Sequence, residues 1–413
     1  MPTSQPSQPL ASSAAPGGKS RLILFATVFF DLLGFGIVIP FLPMYATRLG
    51  VGAGAIGLIL SAYSIMQFIF APVLGRLSDR IGRRPVIMLG LLGSSLSYVI
   101  YGFTDSFAGL LISRAVHGAC AATISTAQAY VADTTEESKR AHAMGMIGAA
   151  FGLGFVLGPA VGGLLGAVSL RTPVLFAAAL TFINLIFAAI WLPESHNPQA
   201  FSRDAVAGGR GGSRAGSRSS FDLPRRLGRH RALTPLFLIA FLLTLAIAVL
   251  EATFALTLPA VYGYAAAGVG GLLAFAGLAQ AVAQGYLVGK LVPRTGEAAL
   301  VVAGAAALAI GLAPLGSWAS RGALYGMLIL IASGYGIGTT AVATLISRRT
   351  GRELQGEAMG LNQSVLSLAR VIGPIAGGLI YQAKGPAAPY LVGAMVAAAA
   401  TVLATRIGRT RTA

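Results

Sequence analysis

Twelve apolar runs, each long enough to cross the roughly 30 Å hydrocarbon core of a bilayer, leave this chain little choice of fold. They lie near residues 22–44, 54–75, 86–104, 107–131, 142–166 and 173–192, then near 233–260, 267–290, 298–317, 320–346, 357–381 and 387–405. Inside lipid every backbone N–H and C=O must find its partner within its own segment or in a closed barrel, and runs of this length read as helices. Composition agrees, because 55% of the 413 residues are hydrophobic and only 10% are charged. A soluble domain built from them would be coated in apolar surface. The first run carries Asp31, Pro40 and Pro43 and is too long for a signal-peptide core, so it reads as a retained helix. The expected fold is an all-α membrane protein with twelve transmembrane helices.

The charges orient those helices. The net charge of +17 could suggest nucleic acid, but the basic residues sit in short clusters between apolar runs, where the positive-inside rule puts them. With both termini on the cytoplasmic side, 24 of the 30 Lys and Arg residues are cytoplasmic. The other side receives Arg48, Arg171, Arg321 and Lys384, while Arg114 and Arg370 fall inside apolar runs. An odd number of crossings would scramble this separation. Residues 1–21, rich in Ser, Pro, Ala and Gly, read as a disordered cytoplasmic tail. Residues 193–231, where eight arginines are scattered among Gly and Ser, read as a flexible cytoplasmic linker. The chain therefore divides into a six-helix bundle over 22–192, the linker, a second bundle over 232–405 and a tail over 406–413. Cys120 stands alone and the four histidines show no ligand spacing, so neither a disulfide nor a metal site is expected.

The two bundles repeat each other. Met144–Leu165 contains M-G at 144 and 145, G-P at 158 and 159, and G-G at 162 and 163; Met359–Ile380 repeats all three at an offset of 215. A weaker echo at an offset of 214 relates Gly75, Arg76, Leu77, Arg80 and Gly82 to Gly289, Lys290, Leu291, Arg294 and Gly296, with Pro293 in place of Asp79. Repeated bundles of this kind put a binding cavity at their interface near mid-membrane, which suits a rocking carrier better than a channel or a membrane enzyme. An enzyme or receptor would need a catalytic constellation or an extramembrane domain, and neither is visible.

Between the second and third runs, Gly75–Pro85 reads G-R-L-S-D-R-I-G-R-R-P. We expect a tight polar turn here, with Gly75 and Gly82 reversing the backbone and Pro85 opening the next helix. This stretch resembles the cytoplasmic signature loop of the major facilitator superfamily, which implies two pseudo-symmetric six-helix bundles in the major facilitator fold. The resemblance makes Gly75, Asp79, Arg80, Gly82, Arg83 and Arg84 a gate motif, with Asp79 and the arginines latching the bundles on the cytoplasmic side. The fifth run places Gly154, Gly158 and Gly162 at four-residue spacing beside Pro159 and Gly163, a smooth face for close helix packing with a bend at the proline. It resembles the antiporter motif of facilitator-family drug exporters. S-R-A-V-H-G-A at 113–119 and A-Y-V-A-D at 129–133 are similar to the drug:proton antiporter branch, and D-L-L-G-F-G-I-V-I-P-F-L-P at 31–43 to the tetracycline:proton antiporters. The run near 298–317 lacks the acidic residue, and the eighth run the histidine, expected of tetracycline exporters. These likenesses imply export of small amphiphilic drug-like compounds against inward proton flow, by a monomer of the bacterial inner membrane with no cofactor beyond the proton gradient. The alternative on the same scaffold is a proton-coupled sugar or metabolite transporter.

Four charges inside apolar runs, Asp31, Arg114, Glu251 and Arg370, each cost about 2.5–3.5 kcal/mol at the bilayer centre unless they face a cavity or a partner. Asp31 and Glu251 occupy corresponding first helices of the two halves. A carboxylate there could carry the coupled proton, contact substrate or belong to a static pair, and Arg370 could serve either acid as counter-ion. The resemblance assigns Arg114 to proton transfer. Phe35, Tyr63, Phe151, Phe155, Phe254 and Tyr335 are candidates for an aromatic wall.

Because 205–220 is Gly, Ser and Arg with little apolar content, removing several of its residues should leave insertion and transport near wild type. Transport lost at normal membrane levels would mean the segment takes part in gating.

Overall fold

The computed structural model describes residues 18–121, 123–135, 137–195, 233–350 and 354–409. The expected linker beyond residue 195, and the tails before residue 18 and after residue 409, lie outside the described residues. The first crossing is α1 (Gly18–Val38) and α2 (Phe41–Arg48), interrupted at Ile39 and Pro40. Next come α3 (Ala53–Ile81) and α4 (Arg83–Phe103), a fourth crossing split into α5 (Phe107–Cys120) and α6 (Thr123–Thr134), then α7 (Glu137–Gly166) and α8 (Thr172–Trp191). The second half holds α9 (Thr234–Tyr262), α10 (Ala266–Val282), α11 (Val288–Leu312), α12 (Arg321–Arg349), α13 (Gln355–Lys384) and α14 (Ala388–Arg409).

A π-helical turn, Ala283–Leu287, joins α10 to α11 without a gap. As one straight rod, the 47 residues of Ala266–Leu312 would measure about 70 Å, more than twice a bilayer core. Gly296 breaks the rod with φ +76° and ψ 160°, so the segment makes two crossings. Gly82, its counterpart in the first half, has φ +105° and ψ 162°. Counting that segment twice among the eleven long apolar helices gives twelve crossings, and the chain is a multi-pass all-α membrane protein.

Helices outrun the hydropathy boundaries in several places. Gly75–Ile81 belongs to α3 and is not a turn; the only reversal is at Gly82. Within this polar end Ser78 Oγ donates to Gly75 O at 2.8 Å and Arg76 Nε to Pro72 O at 3.2 Å, beside the helix's own backbone bonds. Helix α1 likewise begins at Gly18, inside the expected tail, and α14 runs to Arg409, past residue 405. A helix satisfies its own backbone on either side of the lipid boundary, so polarity marks the end of the membrane and not of the helix.

Two helix pairs join the bundles: α7 packs on α10, and α3 packs on α13. Both junctions lie on the face opposite the signature loop, and there backbone touches backbone. A Cβ placed on Gly163 would stand 3.1 Å from Gly270 Cα, and one on Gly270 would collide with Pro159 O. In the repeat-related junction, a Cβ on Gly57 would collide with Pro374 O and one on Gly378 with Ala53 O. Polar contacts fasten the second junction, with Gly54 N donating to Gln382 Oε1 at 3.0 Å and Ser61 Oγ to Val371 O at 2.7 Å. Toward the signature-loop face α3, α7 and α13 have open space beside their glycines, beyond the last contact of Gly277 of α10 with Phe155 and Val156 of α7. A Cβ on Gly75 of α3, on Gly145, Gly148 or Gly152 of α7, or on Gly360 of α13 would meet nothing within 4 Å. The bundles are thus sealed at one face and separated at the other.

A bulky residue at the seal should therefore bias the protein toward the opposite opening. Gly57→Val, probed by thiol labelling of Gly148→Cys in a background lacking Cys120, should cut labelling from the signature-loop side on the order of tenfold. Gly326→Val on α12, which also meets open space, should leave labelling unchanged. Equal labelling in both variants would mean the seal at Gly57 is not needed for this opening.

Candidate functional site

The antiporter-like run on α7 uses two faces at once. Gly154, Gly158 and Gly162 turn to α1, where a Cβ on Gly154 would stand 2.8 Å from Leu32 Cβ and one on Gly158 2.7 Å from Gly36 Cα. The Pro159 carbonyl and Gly163 turn instead to α10, across the bundle interface, while the Pro159 ring stays beside Gly36 of α1. The pattern recurs on α13: Gly373 and Gly377 face Ala248 and Val249 of α9, while Pro374 and Gly378 face α3. One helix of each half thus packs against its own bundle and the other bundle through adjacent glycines, which only a residue without a side chain permits.

At the signature loop, Arg83 ties three elements together. Its Nη1 donates to Asp79 Oδ1 at 2.5 Å and Ser78 Oγ at 2.6 Å, its Nε to Asp133 Oδ2 at 2.9 Å, and its backbone N to Glu194 Oε1 at 2.9 Å. The Arg84 guanidinium donates to Ala189 O and its backbone N to Glu194 Oε2 at 3.2 Å. Arg83 is buried and Arg80 exposed. Sequence reasoning missed Asp133 and Glu194, yet a signal existed. At the corresponding place in the second half, Glu297 pairs with Arg348. Glu297 is Arg83 moved by 214 residues and Arg348 is Asp133 moved by 215. The same clamp stands in both halves with its charges exchanged.

Deeper in the first bundle, the carboxylate of Asp31 lies near the hydroxyls of Thr123 and Ser94. The fourth crossing breaks at Ala121, beside the approach of Gly118 to Tyr63 O, and Gln67 Nε2 donates to the Ala121 carbonyl at 3.3 Å. Gln67 therefore pins helices together. Arg114 is buried, with its guanidinium carbon 4.7 Å from the Tyr63 ring centroid and 5.8 Å from that of Phe35, and Nη1 3.4 Å from His117 Nδ1. Among the described residues no carboxylate lies within 4 Å of it. Two cation–π contacts at about 0.5–2 kcal/mol each only begin to offset a buried charge. The ring of His117 meets Phe35, Tyr63 and Tyr98 edge-on, with centroids 5.7, 5.1 and 5.0 Å away. Phe35 also packs on Phe155 at 5.9 Å, and Phe151 stacks on Phe155 at 4.7 Å. Phe254, in contrast, is 1% exposed within the second-half core and lines no wall.

Glu251 of α9 and Arg370 of α13 lie on the second-half side of the gap. Arg370 lies near Tyr335 and within electrostatic reach of both Glu251 and Tyr63, the latter in the other bundle. Asp31, Arg114, Tyr63, Arg370 and Glu251 thus gather around the interface between the halves.

A sequence model of the Major Facilitator Superfamily matches residues 24–374, and again residues 236–412. The chain belongs to the major facilitator superfamily. It is 36% identical over 373 residues to the class C tetracycline resistance protein of Escherichia coli, covering 89% of this chain and 90% of that one. To multidrug resistance protein 1 of Bacillus subtilis it is 30% identical over 368 residues, with coverages of 87% and 89%. Among solved structures it matches the human organic anion transporter MFSD10 (TETRAN) with a TM-score of 0.67 and 26% identity, covering 94% of this chain and all of that one. A bacterial Spinster homologue in an inward-facing, occupied conformation overlays with a TM-score of 0.75 at 13% identity, a likeness of fold alone. This member of the superfamily is a transporter and not an enzyme.

The exchanged clamps make a prediction about charge order. Arg83→Glu should destabilise the detergent-solubilised protein by on the order of 2 kcal/mol, the worth of a charge-assisted hydrogen bond. Adding Asp133→Arg should recover part of that loss, because the second half already uses the reversed order. A double variant no more stable than the single one in thermal unfolding would refute the equivalence.

Proposed function

We propose that this chain is a proton-driven exporter of small, amphiphilic, drug-like compounds, tetracycline-like molecules among them, working by alternating access. The observation that carries this reading is the near full-length similarity to proteins named for tetracycline and multidrug resistance. Those names favour drug export over the sugar or metabolite alternative. The distribution of Lys and Arg supports insertion in the bacterial cytoplasmic membrane with both termini inside. In that orientation the opening at the signature-loop face is an inward-open state, from which a drug would be loaded.

Asp31 is the preferred proton carrier. It can take a proton from the outer side and release it inside, and the hydroxyls of Ser94 and Thr123 lie beside it. Arg114, held among aromatic rings one helix away, would serve the proton transfer. Gly75, Asp79, Arg80, Gly82, Arg83 and Arg84 would form the cytoplasmic gate, with Asp79 exchanging its Arg83 partner for groups of the second bundle when that side closes. Gly154, Gly158, Pro159, Gly162 and Gly163 would keep α7 close enough to α1 and α10 to seal the outer side. The transporter would act as a monomer, with the proton gradient as its energy source.

Asp31→Asn preserves shape while removing the charge and the proton. It should abolish export against a gradient, leave substrate binding in detergent largely intact, and flatten the pH dependence of that binding. Export against a gradient with wild-type pH dependence, at normal membrane levels, would make Asp31 structural.

A further inference from the structure

Glu251 and Arg370 share an unusual environment. Each lies well inside a long apolar helix, α9 or α13, and is closely surrounded by protein, yet each is exposed. A charged side chain that is both deep and accessible faces a water-filled gap, the arrangement that makes its presence in a membrane helix tolerable. The two helices pack together, and the charges are within electrostatic reach of each other. Even so, they form no ion pair within 4 Å. The unlike charges stand apart, with Tyr335 near Arg370.

Across the gap stands the aromatic face of the first bundle. Phe35 lies 5.3 Å from Tyr63 and 5.9 Å from Phe155, centroid to centroid, with the rings tilted by 43° and 55°, and forms an aromatic cluster against which an apolar ring can pack. The Ser61 bond to Val371 O fixes α3 against α13 one residue from Arg370 and two from Tyr63, so the wall and the charges keep a set relation. A compound lying on that wall would turn its polar substituents toward Glu251 and Arg370.

We propose that Glu251 and Arg370 form a divided charge pair that selects zwitterionic aromatic compounds, Glu251 receiving the cationic group and Arg370 the anionic group. Separation is what makes the pair selective. Two unlike charges in contact would satisfy each other, and a ligand would have to break them apart. Held apart and wet, each keeps capacity for a partner, and a zwitterion satisfies both without leaving net charge in the membrane interior. An anion or a cation alone would serve one and leave the other unanswered. This assignment rests on the exporter reading for its cavity but separates the tasks within it, with Asp31 for the proton and Glu251 with Arg370 for the substrate.

Xanthene dyes test it, because they offer one aromatic body with three charge patterns: rhodamine 6G as cation, rhodamine B as zwitterion and fluorescein as anion. Binding to the full-length, detergent-solubilised protein would be followed by fluorescence anisotropy at a single pH. Wild type should bind rhodamine B most tightly. Glu251→Gln should weaken rhodamine B and rhodamine 6G by at least about tenfold and spare fluorescein. Arg370→Gln should weaken rhodamine B and fluorescein to a similar extent and spare rhodamine 6G. Should either glutamine variant fail to fold, Glu251→Asp and Arg370→Lys, which keep the charge but alter its reach or geometry, should give the same dye-specific pattern with smaller changes. The proposal is overturned if wild type does not prefer the zwitterion, or if each variant affects all three dyes alike. Transport of the dyes by everted vesicles separates the two readings. Charge-selective binding without proton-driven transport would leave the pair in place and remove the exporter, whereas transport blind to dye charge would do the reverse.

Discussion

Backbone lies directly on backbone where α7 crosses α10 and where α3 crosses α13, and the arrangement of the whole molecule depends on it. In lipid there is no hydrophobic gain in pressing one apolar helix against another, so close van der Waals contact must hold the junction. Gly163 against Gly270, and Gly57 against the carbonyl of Pro374, bring the helices closer than any side chain would allow. These contacts seal one face, and the open space beside Gly148, Gly152 and Gly360 is the corollary at the other. Because the glycines that bind α7 to α1 and those that bind it to α10 are neighbours, the helix can transmit a shift of one bundle to the other. Pro159 weakens it at that point.

Internal symmetry explains why the seal has two equal parts. Pro159 faces Gly270 and Pro374 faces Gly57, repeat positions meeting the corresponding partner of the opposite half. The signature-loop clamps obey the same relation in geometry but not in sign, since Arg83 holds Asp133 whereas Glu297 holds Arg348. An ion pair depends on complementarity alone, so the two halves can carry it in either order. What they share is the need to tie the helix that follows a positive-φ glycine, Gly82 or Gly296, to the end of the next crossing.

The charged groups near the gap divide by environment. Asp31 lies near two hydroxyls, Arg114 is wrapped in aromatic rings, and Glu251 and Arg370 are exposed. A carboxylate on hydroxyls can alternate between charged and neutral with little rearrangement, as a proton carrier must. Charges in an open gap are available to whatever enters it. The same expensive feature thus meets different surroundings at each of these groups.

Length and hydropathy are local properties, and from them the sequence alone determined twelve crossings, two repeated halves and the place of the signature loop. The likeness of Met144–Leu165 to Met359–Ile380 already implied that α7 and α13 play equivalent parts. Polarity could not mark the end of α3, because hydrogen bonds within the helix carry it through Gly75 to Ile81 regardless of the lipid boundary. Only the tertiary structure decided which side chains meet. Asp133 and Glu194 reach Arg83 from fifty and more residues away, Thr123 and Ser94 reach Asp31, and Arg114 turns to Tyr63 and Phe35. These meetings depend on how each helix is rotated about its axis, and that rotation is set by packing against neighbours that no single apolar run records.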